Sequence, residues 1–199
     1  MGRPRQFDVD QALDRALKVF WRKGYEGATL PDLTTAMGIN RPSLYAAFGS
    51  KEQLFQKVLD RYAEGPAAFV RKALAAPTAP AVAERLLQGA IDLVTDKQNP
   101  RGCLMVQGAL ACGEAAESAR RALVSRRRAR EAAIRRRFER AIADGDLPPD
   151  SRPADLARYL MTVIQGIAVQ AAGGASRAQL CRVAAMALRA WPMARTQIS

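Results

Sequence analysis

Histidine is missing from all 199 residues. That absence excludes a Ser-His-Asp triad, a Cys-His nucleophile pair and every histidine-ligated metal centre. Cysteine is scarce too: Cys103, Cys112 and Cys181 are odd in number, far apart and form no C-x-x-C pair, which argues against a disulfide framework or a zinc ribbon. There is no glycine-rich phosphate loop and no acidic cluster with ligand spacing, so an enzyme has little support and neither cofactor nor metal is expected. No apolar run approaches the roughly 18 residues of a spanning helix. The opening Met1-Gly2-Arg3-Pro4-Arg5-Gln6 leads into no signal-like apolar stretch, so a cytoplasmic protein without a membrane partner is expected.

Against these absences stand 49% hydrophobic and 25% charged residues, an ordinary globular composition, with only 6% aromatic. The length suits one domain or a small module joined to a larger one. The formal net charge of +12 suggests an anionic partner such as nucleic acid, but a codon bias toward arginine, 25 against 6 lysines, would produce it equally. Counting by segment separates the two. Residues 1–50 hold seven basic and five acidic side chains, whereas 120–140 hold ten arginines against two glutamates.

Helical signals recur along the whole chain and sustained alternation is absent, so the fold reads as all-α. Asp8 with Gln11 caps a first helix whose stripe is Leu13, Ala16, Leu17 and Phe20, ending at Gly24. Thr29 with Asp32 starts a short second helix that stops at Gly38. Asn40 caps a third, with Pro42 in its first turn, and Ser50 with Gln53 starts a fourth, interrupted at Gly65-Pro66. Further helices are expected at about Ala81 to Lys97, Leu104 to Ala111, Ala115 to Ala143, Pro153 to Ala172 and Ser176 to Trp191.

Two short helices around Gly38-Ile39-Asn40, preceded by a longer one, have the dimensions of a helix-turn-helix. The string Thr29-Leu30-Pro31-Asp32-Leu33, then Met37 to Tyr45, then Phe48-Gly49-Ser50-Lys51-Glu52, with Phe20, Gly24 and Tyr25 before it, closely resembles the DNA-binding domain of the TetR family of bacterial transcriptional regulators. The resemblance is dense over the first quarter of the chain. It implies an N-terminal three-helix DNA-binding domain with a helix-turn-helix, residues 1–50, followed by a larger helical ligand-binding and dimerisation domain, residues 51–199.

The residue chemistry agrees with that reading. Asn40, Arg41, Pro42, Ser43 and Tyr45 stand at the start of the third helix, where free amides and the helix dipole favour phosphate. Arg41 suits guanine or phosphate, Ser43 either, and Tyr45 the DNA backbone. Resemblance adds Thr29 and Lys51 as phosphate contacts, and Arg3 and Arg5 form a basic arm suited to a minor groove. Many family members carry an aromatic residue and a histidine where this chain has Ala46 and Ala47, so two backbone contacts are lacking.

The last two helices carry apolar stripes, Leu160, Val163, Ile167 and Ala171 on one and Leu180, Ala184 and Leu188 on the other, expected to pair in a homodimer rather than form an internal core. Within 120–140, Arg127 and Arg130 fall on the same face as Ile134 and Phe138, so one arginine is expected either at the rim of the stripe or inside an effector cavity, facing an anion or an acid such as Glu84 or Asp92. Cys103 stands at a helix start and is either a packing residue or a redox or electrophile sensor. The expected function is a ligand-responsive repressor binding double-stranded DNA at a palindromic operator as a homodimer, released by a small-molecule effector. The alternatives are a nonspecific architectural DNA-binding protein and a regulator acting through Cys103.

Overall fold

The computed structural model describes residues 7–106 and 116–192. Among these the fold is all-α, without a strand. Asp8 opens α1 (Val9–Gly27) as expected, its Oδ1 accepting from the Gln11 amide at 3.0 Å. Gly24 does not end this helix. It breaks the helix with φ +70° and ψ −178°, a conformation open to glycine alone, and one further turn follows to Gly27. The break lays the Tyr25 ring against Phe20 and Phe55, with centroids 6.2 and 5.0 Å away.

The pair α2 (Leu30–Met37) and α3 (Arg41–Phe48) forms the helix-turn-helix. A reciprocal box at Thr29 and Asp32 starts α2, and Gly38 at φ +70°, ψ 32° turns the chain toward α3. Leu33, Met37, Leu44 and Phe48 are buried against α1 and α4, which fixes the angle between the two short helices. Burying a side chain the size of Leu44 or Phe48 contributes roughly 2–3 kcal/mol, more than an eight-residue helix gains from its own propensity.

The Ser50–Gln53 box starts α4 (Lys51–Glu64), and Gly65 stops it. Its inner side, Leu54, Phe55, Val58, Leu59 and Tyr62, packs against α1 at one end and approaches the long arginine-rich helix at the other. Arg61 locks α4 to α1 by a forked pair with Asp14, 2.7 and 2.9 Å, which holds the Asp14 carboxyl below its ordinary pKa. Both partners are partly solvated, so the pair is worth under about 1 kcal/mol.

Beyond α5 (Phe69–Leu74) come α6 (Ala79–Thr95), α7 (Glu117–Ala143), α8 (Pro153–Ala172) and α9 (Arg177–Arg189). Thr78 caps α6, while Asp146 accepts from the Ala79 amide and ties the turn after α7 to that helix start. The helix expected at Leu104 to Ala111 is described only over residues 104–106; its remainder and Cys112 lie outside the described residues.

The packing of α8 and α9 corrects the expected dimer stripe. Leu160, Ile167, Ala171, Leu180 and Ala184 are buried within one chain, and Val163 and Leu188 are half-buried against the same core, because α8 and α9 pack on α6 and α8 also packs on α7. Those stripes are internal core. Their outer faces expose Tyr159, Val169, Val183 and Met186 instead.

Candidate nucleic-acid interface and adjoining cavity

The N-terminus of α3 stands free of the core. Asn40 caps it, its Oδ1 accepting from the Ser43 amide at 2.8 Å, and the residue is exposed. Arg41, Pro42 and Tyr45 are exposed and Ser43 half-exposed, while Leu44 and Phe48 hold the opposite face. Tyr45 is 47% exposed, too open for a core aromatic. Ala46 and Ala47 are exposed and carry no polar atom. Arg3 and Arg5 lie outside the described residues.

Thr29 and Lys51 are held by neighbours. The Thr29 hydroxyl donates to Asp32 Oδ2 at 2.7 Å and accepts from the Asp32 amide at 3.2 Å, so its proton is committed inside the protein. Lys23 Nζ reaches the same carboxylate at 2.7 Å. This lysine and the Thr29 hydroxyl lower the Asp32 pKa to about 2. Lys51 lies over the Tyr25 ring, 4.6 Å from its centroid, and its pKa is lowered by desolvation, partly opposed by Glu26. Neither Lys23 nor the Tyr25 platform follows from sequence pattern, since both depend on how the broken end of α1 meets α2 and α4.

Beyond the head, a cavity of about 380 Å³ opens between α4, α5 and α7. Its wall is apolar, with Leu59, Tyr62, Val70 and Met105, and three arginines reach it: Arg71, Arg126 and Arg130. Arg130 therefore lines a cavity. Arg127 is not among the lining residues, and Ile134 and Phe138 are fully buried in core, Phe138 edge-on to Trp191 at 5.2 Å. Of the residues expected at a ligand cavity, Arg127, half-buried, does not line this one, and Ile134 and Phe138 pack in the core. Asp92, offered as a partner for the arginines, pairs with Arg177 instead.

The buried arginine of this helix is Arg137, 8% exposed, whose Nη2 donates to the carbonyls of Ala76 at 2.9 Å and Pro77 at 3.0 Å. It stands seven residues after Arg130, two helical turns, so periodicity alone places it inward. Cys103 is buried beside the cavity wall, with Sγ 3.1 Å from Tyr62 Oη. Burial first, and then the Cys103 sulfur, raise the tyrosine pKa well above its ordinary value.

Among the described residues there is no cluster of three or more metal-ligating side chains and no helix long and apolar enough to cross a membrane.

Two family models match: bacterial regulatory proteins of the tetR family over residues 12–58, and the tetracyclin repressor-like C-terminal domain over 83–187. The Escherichia coli K12 transcriptional repressor ComR is 35% identical over 96% of this chain and 92% of its own. The repressor BdcR of the same organism is 33% identical over 94% of this chain and 90% of its own. Among solved structures, a cysteine mutant of the TetR family regulator CifR, complexed with a 26-base-pair double-strand operator, superposes with a TM-score of 0.91 at 46% identity, covering 96% of this chain and 100% of that one. Fold, helix-turn-helix and relatives agree, and the chain belongs to the TetR family of bacterial regulatory proteins.

Proposed function

We propose that the protein is a transcriptional repressor that binds operator DNA as a homodimer and is released by a small molecule entering the cavity between α4, α5 and α7. The observation that carries this reading is the polar end of α3, where Arg41, Ser43 and Tyr45 are exposed beside a buried Leu44 and Phe48. Set in a major groove, Arg41 reads guanine, Asn40 Nδ2 and Ser43 reach base edges or phosphate, and Tyr45 donates to the backbone. Lys51, held on Tyr25, and Lys23 offer positive charge at either side, and the arm of Arg3 and Arg5 supplies a minor-groove contact. Thr29 shapes the start of α2 rather than spending its own proton on DNA. The operator complex of the similar regulator CifR supports the assignment.

A second copy covers the outer faces of α8 and α9 and sets the two heads roughly 34 Å apart, one helical turn of DNA. Helix α4 links head and cavity: Phe55 packs beneath Tyr25, while Leu59 and Tyr62 face the cavity. Its 14 residues span about 21 Å at 1.5 Å each. An effector that displaces the cavity end therefore tilts the head, and by linkage the operator weakens effector binding by the same factor.

Selection of bound sequences from random duplexes at physiological salt tests the reading. A palindrome with half-sites one turn apart is expected; unenriched binding with a steep salt dependence would assign a nonspecific architectural role instead. A second reading is favoured by one contact, Cys103 Sγ against Tyr62 Oη, since a thiol adduct there would break a bond between the cavity wall and the segment before α7. If Cys103→Ser still releases operator on oxidant or electrophile treatment, that reading is wrong.

A further inference from the structure

We infer that the cavity takes an organic anion, a carboxylate on an apolar body, with its charge on Arg130 and its body against Leu59, Val70 and Met105. The inference rests on the effector role proposed above for this cavity and names the chemistry of what fills it.

A volume of about 380 Å³ falls within the range of small-molecule sites. Leu59 is fully buried and Met105 is 5% exposed, so the floor is apolar and suits a hydrocarbon or an aromatic ring. Among the described residues, the charged side chains that line the cavity are all arginines. Arg126 is neutralised by Asp60 at 2.8 Å, but among the described residues Arg71 and Arg130 have neither an ion-pair nor a hydrogen-bond partner. Two guanidinium groups without a described partner beside an apolar wall are complementary to a carboxylate and hostile to an ammonium, because a cation would meet like charge.

The geometry distinguishes Arg130 from its neighbours. On α7 it lies one turn after Arg126 and one turn before Ile134, on the inward face, and it is half-buried. Arg71 is exposed and lies across the opening on α5, where it meets the outer side of the same anion. Tyr62 adds a neutral wall: burial suppresses its ionisation, so no second anion competes for the arginines. Arg137, by contrast, already satisfies two carbonyls and takes no part.

The test is calorimetric titration of the full-length protein with octanoate, decanoate and 2-naphthoate, each beside the alcohol and the amine of the same skeleton. At least one carboxylate is expected to bind about tenfold or more tightly than its alcohol, the amine more weakly still, with the same carboxylate releasing operator DNA. Arg130→Gln, with its fold verified by urea denaturation, is expected to erase the preference of carboxylate over alcohol, and Arg130→Lys to restore part of it. Equal binding of carboxylate and alcohol, tightest binding of an amine, or an unchanged preference in Arg130→Gln overturns the anion assignment and leaves the effector cavity standing. Failure of every probe of every charge class to bind or to release operator counts against the cavity reading as well.

Discussion

Tyr62 Oη lies 3.1 Å from Cys103 Sγ inside the core. The same ring meets Trp21 edge-on at 4.9 Å, and Trp21 Nε1 donates to the Gly102 carbonyl at 3.1 Å. The contacts form a triangle joining α1, α4 and the segment before α7. Its sides are unequal, because a thiol is a weak partner whereas an indole fills volume and satisfies a buried carbonyl. Tyr62→Phe should therefore cost about 1 kcal/mol, and Trp21→Phe about 2–4 kcal/mol through lost volume and an unpaired carbonyl. Urea denaturation of the two variants checks the order, and equal losses would mean that the indole bond adds nothing.

Asp32 makes the start of α2 sensitive to acid. Its folded pKa of about 2 lies below the ordinary value of 3.8, so the stabilisation is present above 3.8 and is lost as pH falls through 3.8 toward 2. Asp32→Asn cannot ionise and lacks this dependence. The melting midpoint of the parent should exceed that of Asp32→Asn near neutral pH, and the gap should close between pH 4 and 2. A gap that persists at pH 2 would show that the carboxylate's charge does not matter to the cap.

Arg41 is the exposed guanidinium at the reading end of α3, with no ion pair among the described residues. Under the base-reading role, Arg41→Ala should lower operator affinity by about 1–3 kcal/mol and relax discrimination at one position per half-site, leaving the salt slope almost unchanged. Competition binding with single-base operator variants at two salt concentrations measures both. A uniform loss with a slope reduced by about one would move Arg41 to the phosphate backbone.

The parts legible in the sequence were those whose physics is local. Asp8, Thr29, Asn40 and Ser50 each accept from an amide three residues on, and residue type at that spacing was enough to locate four helix starts. The partners of a stripe are another matter. Leu160 and Ile167 form a valid helical stripe, but periodicity does not tell whether it buries against the same chain or a second one, since Tyr159 and Val169 lie on the other side of α8. The cavity was legible only at Arg130, because Leu59, Val70 and Met105 come from three separate segments. The inward place of Arg137 follows from spacing, but the two carbonyls that await it at the turn between α5 and α6 do not.

Those carbonyls predict the behaviour of Arg137. Arg137→Met keeps much of the side-chain volume but leaves the carbonyls of Ala76 and Pro77 without the guanidinium, an expected loss of about 1–3 kcal/mol. Arg137→Lys, with a single ammonium in place of a planar fork, should recover only part. Arg135→Met, on the exposed face and paired with Glu139, should change stability by less than about 0.5 kcal/mol. Denaturant midpoints of the three variants give the ranking, and a neutral Arg137→Met would show that water replaces the guanidinium without penalty.

Gly166 lies in the middle of α8, exposed, where a methyl group would meet nothing within 4 Å. In an isolated chain it is a defect, since glycine inside a helix is about 1 kcal/mol less favourable than alanine. Tyr159 and Val169 lie on the same outer side of α8, and Val183 and Met186, 45% and 62% exposed, are on the neighbouring helix. A glycine between such residues is useful where a partner helix comes close, because a missing side chain lets two backbones approach. Gly166→Leu should therefore keep or raise helical content while splitting the proposed dimer, and operator affinity should fall with dimerisation because one head cannot span two half-sites. Gly166→Ala, adding a single methyl, should weaken the dimer less. Sedimentation velocity over a concentration series, alongside circular dichroism, separates association from folding. A Gly166→Leu protein that dimerises as tightly as the parent would move the interface away from this face of α8.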